Sequence, residues 1–391
     1  MKEKLTAVVF IVIVFSMFFG MFFNAAIVGE EFLNAYRANP PVDTSIPARV
    51  AAVTGAADAS AGAGVPGRPQ YIELHGLLQL AMDKNIVIDP NYGALYKTPH
   101  GQIAYAVEEK YIGGYLDSVY GLVNSLIHEK IPFLYVQAPF KLPDAHSQLP
   151  PTVTDYSNTD ADRFIAGLTA ANVSCFDLRP LLAETGMTQN EMFYNTDHHW
   201  TIDAAFFSAG QIVKKLNADY GFDIDESLYD IGGYNRITYK DSFIGSLGRR
   251  VGRLYGGLDD FTLITPKFET GLSISEDGIA LPDGSFEEAV LDMECVDVKA
   301  RIDTNRYAVY RKDRGEVVFE NHLVDEGKIL IIKDSFGIPV YSFLSLGVHE
   351  VRAVDVRLFG GDVYEYAAAC KPDIVILLYN ADCFNEQMFD F

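Results

Sequence analysis

The C-terminal part of the chain constrains the fold most, because strand-like and helix-like patterns alternate along it. An apolar strand at Ile329–Ile332 precedes a helical stretch through Tyr341 to Leu346, and another strand follows at Val351–Val354. A second helical stretch at 363–370 then leads to the strand at 373–380. Repeated β-α-β units of this kind argue for a parallel sheet that is covered by helices on both faces. The sequence therefore predicts an α/β fold.

The same alternation begins much earlier in the chain. Apolar residues recur at helical spacing over 116–127, and the run Phe133–Val136 follows as a buried strand. A helical pattern at 161–172 leads into a strand at 173–178, and Thr201 can cap the helix that follows it. We predict one folded domain over 71–391. Within it, residues 217–327 are interpreted as an insertion whose strands the sequence does not place.

The N-terminal 30 residues predict a membrane anchor. No charged residue occurs over Leu5–Gly29, a run long enough to cross a hydrocarbon layer of about 30 Å as a helix. Lys2 and Lys4 precede this run, so the positive-inside rule leaves a short tail in the cytoplasm and sends everything after residue 30 outside. A cleaved signal peptide is the alternative, with small residues at Asn24–Ala26 as a cut site. The expected location is the cell membrane, with one span and an extracytoplasmic domain.

Composition predicts the character of the segment after the anchor, and the net charge argues against nucleic acid as a partner. Residues 31–70 include a stretch rich in Ala, Gly and Pro with few large apolar side chains, which predicts a flexible linker. Lys and Arg total 31 against 53 Asp and Glu, and the net charge of -22 makes nucleic-acid binding improbable. The four cysteines include no C-x-x-C pair, so neither a zinc ribbon nor a redox motif is present. Spacing does not decide between disulfides and free thiols.

Ser335 is the first candidate for chemistry. It follows the strand at Ile329–Ile332 directly and precedes a helical stretch that begins near Ile338. In open α/β sheets, reactive groups gather outside the carboxyl ends of the strands. A serine at a helix start can use neighbouring backbone N–H groups to stabilise an oxyanion. Taken alone, the same segment is also typical of a helix-capping turn.

A base and a carboxylate for such a serine occur together in one short segment. Asp197 is followed by His198 and His199, two of the eight histidines, and then by Trp200, the single tryptophan. A serine hydroxyl needs a base to take its proton, and the base needs a carboxylate to fix its tautomer. A metal site or a polar loop is the alternative interpretation. Three consecutive residues rarely all point at one ion, so no metal is expected.

The segment Asp197–Trp200 resembles the motif that names the DHHW family, relatives of the alginate O-acetyltransferases. The resemblance extends over roughly 71–391 through four further segments: Ala138–Lys141, Ile244–Arg250, Lys333–Phe336 and Val354–Arg357. It implies an SGNH-hydrolase-like fold, a three-layer α/β/α sandwich with a mainly parallel central sheet, here preceded by one transmembrane helix. An Asp-x-His-Trp pattern that precedes the serine is the order of the acetyltransferase branch.

The resemblance also implies roles for individual residues. The catalytic triad of the acetyltransferases falls on Ser335, His199 and Asp197. Their tyrosine six residues after the serine, near the oxyanion, falls on Tyr341. Further candidates for substrate or oxyanion contacts are Gly337, Arg357, Lys141, His198 and Trp200.

The expected activity is O-acetylation of a cell-surface or secreted polysaccharide through an acyl-serine intermediate, without a cofactor. Since acetyl-CoA is cytoplasmic, the resemblance implies a membrane-bound O-acyltransferase as the partner that delivers the acyl group. A carbohydrate acetylesterase with the same triad and a non-catalytic glycan-binding scaffold are the alternatives.

Overall fold

The structure is a computed structural model of the chain. It describes residues 24–38, 49–50, 52–54, 56–57, 67–89, 92–143, 148–297, 299 and 301–391. The chain divides into two compact units, Met1–Leu78 and Gln79–Phe391.

The first unit is helical where it is described. Helix α1 spans Ala25–Ala38 and includes the first residues of the segment predicted as a linker, and helix α2 spans Arg68–Ala81 and continues into the second unit. The predicted membrane-spanning run, Leu5–Gly29, lies largely outside the described residues, which begin at Asn24. Within the described part of the chain, no helix combines the length and the apolar character needed to cross a bilayer.

The second unit is built around an eight-stranded sheet with the order β5-β4-β13-β11-β12-β10-β8-β9. The first five strands of that order run parallel to one another, whereas β10, β8 and β9 extend the sheet in antiparallel pairs. The predicted mainly parallel sheet is therefore confirmed. The strands are β1 Ile86–Asp89, β2 Gly93–Lys97, β3 Ile103–Tyr105, β4 Phe133–Gln137, β5 Cys175–Asp177, β6 Tyr234–Phe243, β7 Asp259–Pro266, β8 Leu272–Glu276, β9 Ile279–Ala280, β10 Glu316–Asn321, β11 Lys328–Lys333, β12 Glu350–Val354 and β13 Ile374–Tyr379.

Helices cover both faces of this sheet. Side chains alternate along β11, so Ile329 and Ile331 enter one core while Leu330 and Ile332 enter the other. Residues of α7 and α10 fill the first core, and residues of α3, α4 and α11 fill the second. The remaining helices are α3 Gly113–Glu129, α4 Ser157–Ala170, α5 Leu178–Glu184, α6 Gln189–Met192, α7 Ile202–Tyr220, α8 Gly248–Val251, α9 Arg253–Gly256, α10 Gly337–Leu344 and α11 Val363–Cys370.

The central strand β11 lies where the chain direction across the sheet reverses. It pairs with β12 on one side and with β13 on the other. Helix α10 leaves β11 on one face of the sheet, and α11 returns the chain on the other face. The carboxyl end of β11 is therefore at a topological switch point, where α/β proteins bind their ligands.

Residues 217–327 contribute strands of two kinds. β6 and β7 form an antiparallel two-stranded ribbon, whereas β8, β9 and β10 extend the edge of the main sheet. Apart from the tight β8–β9 hairpin, these strands pair with partners 16 or more residues away in sequence, and the segment lacks the β-α-β repeat of the C-terminal part. Strands β1, β2 and β3 form a separate antiparallel meander. The four cysteines, Cys175, Cys295, Cys370 and Cys383, are free thiols.

Candidate active site

Ser335 lies in the turn between β11 and α10, at the carboxyl end of the central strand. The preceding residue, Asp334, shapes this turn: its Oδ1 accepts the N–H of Phe336 at 2.8 Å, and its Oδ2 accepts the backbone and side-chain N–H groups of Asn380 at 2.7 and 2.8 Å. Asn380 directly follows β13. The turn that carries the serine is thus fixed to the end of the neighbouring strand.

The structure brings Ser335, His199 and Asp197 into one hydrogen-bonded series. The Nε2 atom of His199 lies 2.7 Å from the Oγ atom of Ser335, and its Nδ1 atom lies 2.6 Å from Oδ1 of Asp197. Because an ionised carboxylate only accepts, Nδ1 carries the proton and Nε2 is free to accept the serine hydroxyl. This is the arrangement in which a histidine can act as a base toward a serine.

Asp197 is held in its ionised form. Burial acts to raise its pKa, but the charges of His199 and His198 and the hydrogen bonds it accepts hold that pKa well below the usual range. Its Oδ1 also accepts the backbone N–H of His199 at 3.1 Å, and its Oδ2 accepts the N–H of Ser246 at 2.7 Å. Both carboxylate oxygens are therefore occupied by donors that orient the group.

The two ends of the loop that carries Asp197 and His199 pair with each other, and a helix begins directly after the loop. Phe193 and Trp200 form an antiparallel bridge, and the hydroxyl of Thr201 accepts the N–H of Ala204 to cap α7, as predicted. Trp200 is fully buried, and its Nε1 donates to the hydroxyl of Tyr307 at 2.9 Å and to the Phe336 carbonyl at 3.2 Å. Trp200 therefore joins the loop to the serine turn. Its ring has no exposed surface, which leaves the predicted substrate contact without support in the structure.

The segment 244–248 packs against this loop from the insertion. A Cβ atom on Gly245 would lie 2.3 Å from the Cβ of Asp197, so no side chain fits there. The N–H of Gly245 donates to the Thr196 hydroxyl at 2.7 Å, and the N–H of Gly248 donates to the Thr196 carbonyl at 2.7 Å. Asp259, on β7, accepts the N–H groups of Asn195 and Thr196 at 2.6 and 2.8 Å. The insertion thus holds the loop in place.

Two residues that contact this loop, Tyr307 and Asp259, were not predicted from the sequence. The ring of Tyr307 stacks on the imidazole of His199, with centroids 4.1 Å apart and an angle of 13° between the planes. Asp259 is buried, and its carboxylate oxygens fix the start of the loop that carries Asp197 and His199. Both residues lie in the segment whose strands the sequence does not place. An isolated tyrosine or aspartate there carries no local signal of such a contact.

His198 lies beside the pair without replacing His199. Its Nδ1 is 2.9 Å from the Ser246 hydroxyl and 3.5 Å from Oδ1 of Asp197, and the two imidazole centroids are 3.8 Å apart. Burial, and next the charge of His199, lower the pKa of His198 to about 3. Asp197, His198 and His199 each offer a ligand atom within 4.8 Å of the others. Both nitrogens of His199 already bond to Asp197 and Ser335, so a metal ion there would have to displace one of these contacts.

Lys141, predicted to contact the substrate or the oxyanion, is buried. Its Nζ donates to the backbone carbonyls of Ile103, Asn195 and Asp197 at 2.7, 2.9 and 2.7 Å. Burial lowers its pKa to about 7. Three acceptors require all three N–H donors of an ammonium group, so this geometry belongs to the charged form.

The other three residues predicted to contact the substrate or the oxyanion differ in how accessible they are. Tyr341 is fully buried against Phe319, and no hydrogen bond joins its hydroxyl to a described residue. The N–H of Gly337 donates to the Asp334 carbonyl at 3.0 Å and is not free for an oxyanion. The guanidinium of Arg357 binds both oxygens of Asp355, and its side chain is about one-third exposed. Of the three, Arg357 alone retains a surface that a substrate could reach.

The fold and this arrangement define an SGNH-hydrolase-like α/β protein with serine, histidine and aspartate at the switch point of its sheet. Residues 108–229, which include Asp197 and His199, match the family model of the SGNH hydrolase-like domain of the acetyltransferase AlgX. The resemblance to the relatives of the alginate O-acetyltransferases is thereby confirmed. No curated protein matches the sequence.

Solved structures share the fold. PatB1 of Bacillus cereus is 22% identical, with a TM-score of 0.62 over 78% of this chain and 99% of that chain. A second PatB1 structure, with a sulfonyl adduct, has the same TM-score at 20% identity over 78% of this chain and 98% of that one. A DHHW family protein from Eubacterium siraeum is 15% identical, with a TM-score of 0.57 over 76% of this chain and 93% of that chain.

Proposed function

We propose that this protein is an extracytoplasmic O-acyltransferase that moves an acetyl group onto a hydroxyl of a cell-surface or secreted polysaccharide. Ser335 is the nucleophile, His199 the base, and Asp197 the group that orients it. The observation that supports this proposal is the continuous series of contacts from Ser335 Oγ to His199 Nε2 at 2.7 Å and from His199 Nδ1 to Asp197 at 2.6 Å.

In the first half of the reaction, Nε2 of His199 takes the hydroxyl proton as Oγ of Ser335 attacks the acyl carbonyl. The backbone N–H of Ser335 donates to no acceptor among the described residues, so it is available to stabilise the oxyanion. The tetrahedral intermediate expels the donor's alcohol oxygen, which takes the proton from Nε2. In the second half, an acceptor hydroxyl loses its proton to Nε2 and attacks the acyl-serine, and Ser335 recovers its proton.

Two features support transfer to a polysaccharide by an exported domain. The family model that matches residues 108–229 describes an acetyltransferase. The uncharged run Leu5–Gly29, with Lys2 and Lys4 before it, supports an anchor that leaves the domain outside the cytoplasm. An external domain has no access to cytoplasmic acetyl-CoA, so we propose a membrane-bound O-acyltransferase as the acyl donor's source.

The same contacts equally serve a carbohydrate acetylesterase, because water can take the place of the sugar hydroxyl in the second half-reaction. The first experiment therefore separates acylation from transfer. The full chain in detergent is treated with a sulfonyl fluoride, since a sulfonyl adduct exists for PatB1, and the modified peptide is identified by mass. Hydrolysis of a chromogenic acetyl ester is then measured with and without an oligosaccharide acceptor.

We expect modification at Ser335, and a loss of ester hydrolysis of about 10⁴-fold or more in Ser335→Ala and Asp197→Asn. The exposed Ser227 provides the matched control, and Ser227→Ala should retain full activity. Acetylated oligosaccharide identifies a transferase, whereas acetate alone identifies an esterase. Full activity in folded Ser335→Ala would contradict the proposed nucleophile, and an intact wild type with no labelling at all would favour the glycan-binding scaffold.

A further inference from the structure

A group of polar side chains lies near the turn that carries Ser335, and the proposed acyl transfer gives it no role. Asp382 comes three residues after β13, and its N–H donates to the side-chain oxygen of Asn380 at 2.5 Å. Asn380 donates to the carboxylate of Asp334, the residue before Ser335. Asp382 is therefore connected to the serine turn from the β13 side.

Two tyrosines of the meander complete this group. The hydroxyl of Tyr105 donates to Oδ2 of Asp382 at 2.5 Å, and the ring centroids of Tyr92 and Tyr105 lie 5.0 Å apart. Burial raises the pKa of both tyrosines, and the negative charges of Asp382 and Asp197 raise it further. The two tyrosines therefore lie in the electric field of the carboxylate that contacts His199, close to the proposed site of chemistry.

Two polar atoms of this group are open to a ligand. Tyr92 and Asp382 are partly exposed, as is Ser335. Among the described residues, none hydrogen-bonds to Oδ1 of Asp382 or to the hydroxyl of Tyr92, and protein encloses neither atom. The contacts with Tyr105 hold the carboxylate and the Tyr92 ring in place. A substrate at Ser335 thus meets two fixed polar atoms that have no protein partner.

The chemistry of these two atoms matches the hydroxyl groups of a sugar. An ionised carboxylate oxygen accepts hydrogen bonds, and a tyrosine hydroxyl both donates and accepts them, as a sugar hydroxyl does. Burial raises the pKa of Asp382 to about 6, although the hydrogen bond from Tyr105 and the charge of Lys110 oppose this shift, so the group is ionised at pH 7. Hydrogen bonds to an ionised acceptor are the stronger kind.

The charges around the group disfavour an anionic sugar. Asp382 and Asp197 are both negative at pH 7. The nearest guanidinium, on Arg250, lies over the Tyr92 ring at 4.8 Å and binds both carboxylate oxygens of Asp89 at 3.1 Å. Its charge is thereby balanced, and a uronate at this position would be repelled by the two carboxylates.

We propose that Asp382 and Tyr92 bind two hydroxyl groups of the acceptor sugar beside Ser335, with Tyr105 holding the Asp382 carboxylate in place. This inference rests on the proposed transferase function, and it specifies the acceptor as a neutral sugar residue with free hydroxyl groups next to the one that is acetylated. In this role the two residues act in the second half-reaction and not in formation of the acyl-serine.

The test measures binding separately from catalysis, in the full chain that carries Ser335→Ala. Cellohexaose, xylohexaose and chitohexaose are titrated by calorimetry, with hexagalacturonate as the anionic comparison. Asp382→Asn removes the charge and keeps an acceptor oxygen, and Tyr92→Phe removes only a hydroxyl. Asp283→Asn and Tyr111→Phe, at exposed positions, are the matched controls.

Activity is then measured in the same variants with Ser335 intact. We expect Asp382→Asn and Tyr92→Phe each to weaken binding of a neutral hexasaccharide about tenfold or more, and to raise its KM as acceptor by a similar factor, since each leaves a sugar hydroxyl without its partner. Hydrolysis of the small acetyl ester, in which water is the acceptor, should stay within about threefold of the wild type. The controls should change neither quantity.

The outcomes separate this proposal from the proposed catalytic function. The proposal is overturned if no neutral hexasaccharide binds, if hexagalacturonate binds more tightly, or if binding is unchanged in either variant. A loss of small-ester hydrolysis in Asp382→Asn as large as its loss of binding would show a structural role instead and would also overturn it. If both variants weaken sugar binding but no protein with intact Ser335 hydrolyses the ester or acetylates the sugar, the sugar site stands and the catalytic function fails.

Discussion

Replacing Gly245 with alanine tests how closely the insertion determines the position of the Asp197 carboxylate, the proposed orienting group. The added Cβ would lie 2.3 Å from Cβ, 2.4 Å from Oδ2 and 2.6 Å from Cα of Asp197. Ordinary contacts of a Cβ atom begin near 3.4 Å. Either Asp197 or the segment at 244–248 must therefore move by about 1 Å.

The neighbouring contacts determine what such a shift costs. Lys141 holds the carbonyl of Asp197 at 2.7 Å, so the loop cannot move freely, and the 2.7 Å hydrogen bond from Ser246 to Oδ2 is strained first. A misplacement of about 1 Å in a catalytic group costs roughly 10²-fold in rate, or about 2.7 kcal/mol. Overpacking a buried contact costs about 1–3 kcal/mol of stability.

The assay compares kcat/KM for a chromogenic acetyl ester and the free energy of unfolding in Gly245→Ala and Gly114→Ala. Gly114 lies in the first turn of helix α3 with no atom within 4 Å of its added Cβ, so that control should keep its activity and lose no stability. We expect Gly245→Ala to fold with activity reduced about 100-fold. Activity within about threefold of the wild type, at unchanged stability, would refute the claim that this glycine fixes Asp197.

Two further substitutions test a buried ammonium group and a neutral histidine near the site. Lys141→Met leaves the carbonyls that the ammonium group binds without that donor, so the free energy of unfolding, measured in urea, should fall by about 2–4 kcal/mol; an unchanged value would contradict the role of the ammonium group. The pKa of His198 is lowered to about 3 in the folded protein and is about 6.5 in the unfolded chain. Between these two pH values, only the unfolded chain binds a proton at His198. This residue's contribution to stability should therefore fall by about 1.4 kcal/mol per pH unit as the pH decreases through that window. His198→Gln should flatten the slope between pH 6 and pH 4, and equal slopes in the two proteins would count against it.

Strands and helices with a short-range pattern of apolar residues could be predicted from the sequence. The strands at β11, β12 and β13 and the helix at α11 follow directly from apolar runs and helical spacing, because each pattern lies within a few residues. The helix after Thr201 begins where its cap predicts. The three side chains of the candidate triad were also expected together, since a motif links two of them and a strand end locates the third.

The surroundings of the site could not be predicted in the same way. Gly245, Asp259 and Tyr307 contact the loop that carries Asp197 and His199 across 48 to 108 residues of sequence and show no periodicity. Lys141 and Trp200 have side chains that could bind a substrate as well as hold a loop. Only burial and hydrogen-bond partners decide between these roles, and neither can be read from the sequence.

The distribution of the site along the chain limits how this protein can be shortened. A fragment that ends at residue 229, where the family model's match ends, would keep Asp197 and His199 but lose Gly245, Tyr307 and the serine. Removal of 217–327 alone would keep all three triad residues and still release the loop that holds two of them. The insertion therefore cannot be removed without loss of the contacts that position Asp197. Any shortened form, whether evolved or engineered, needs other residues to make these contacts.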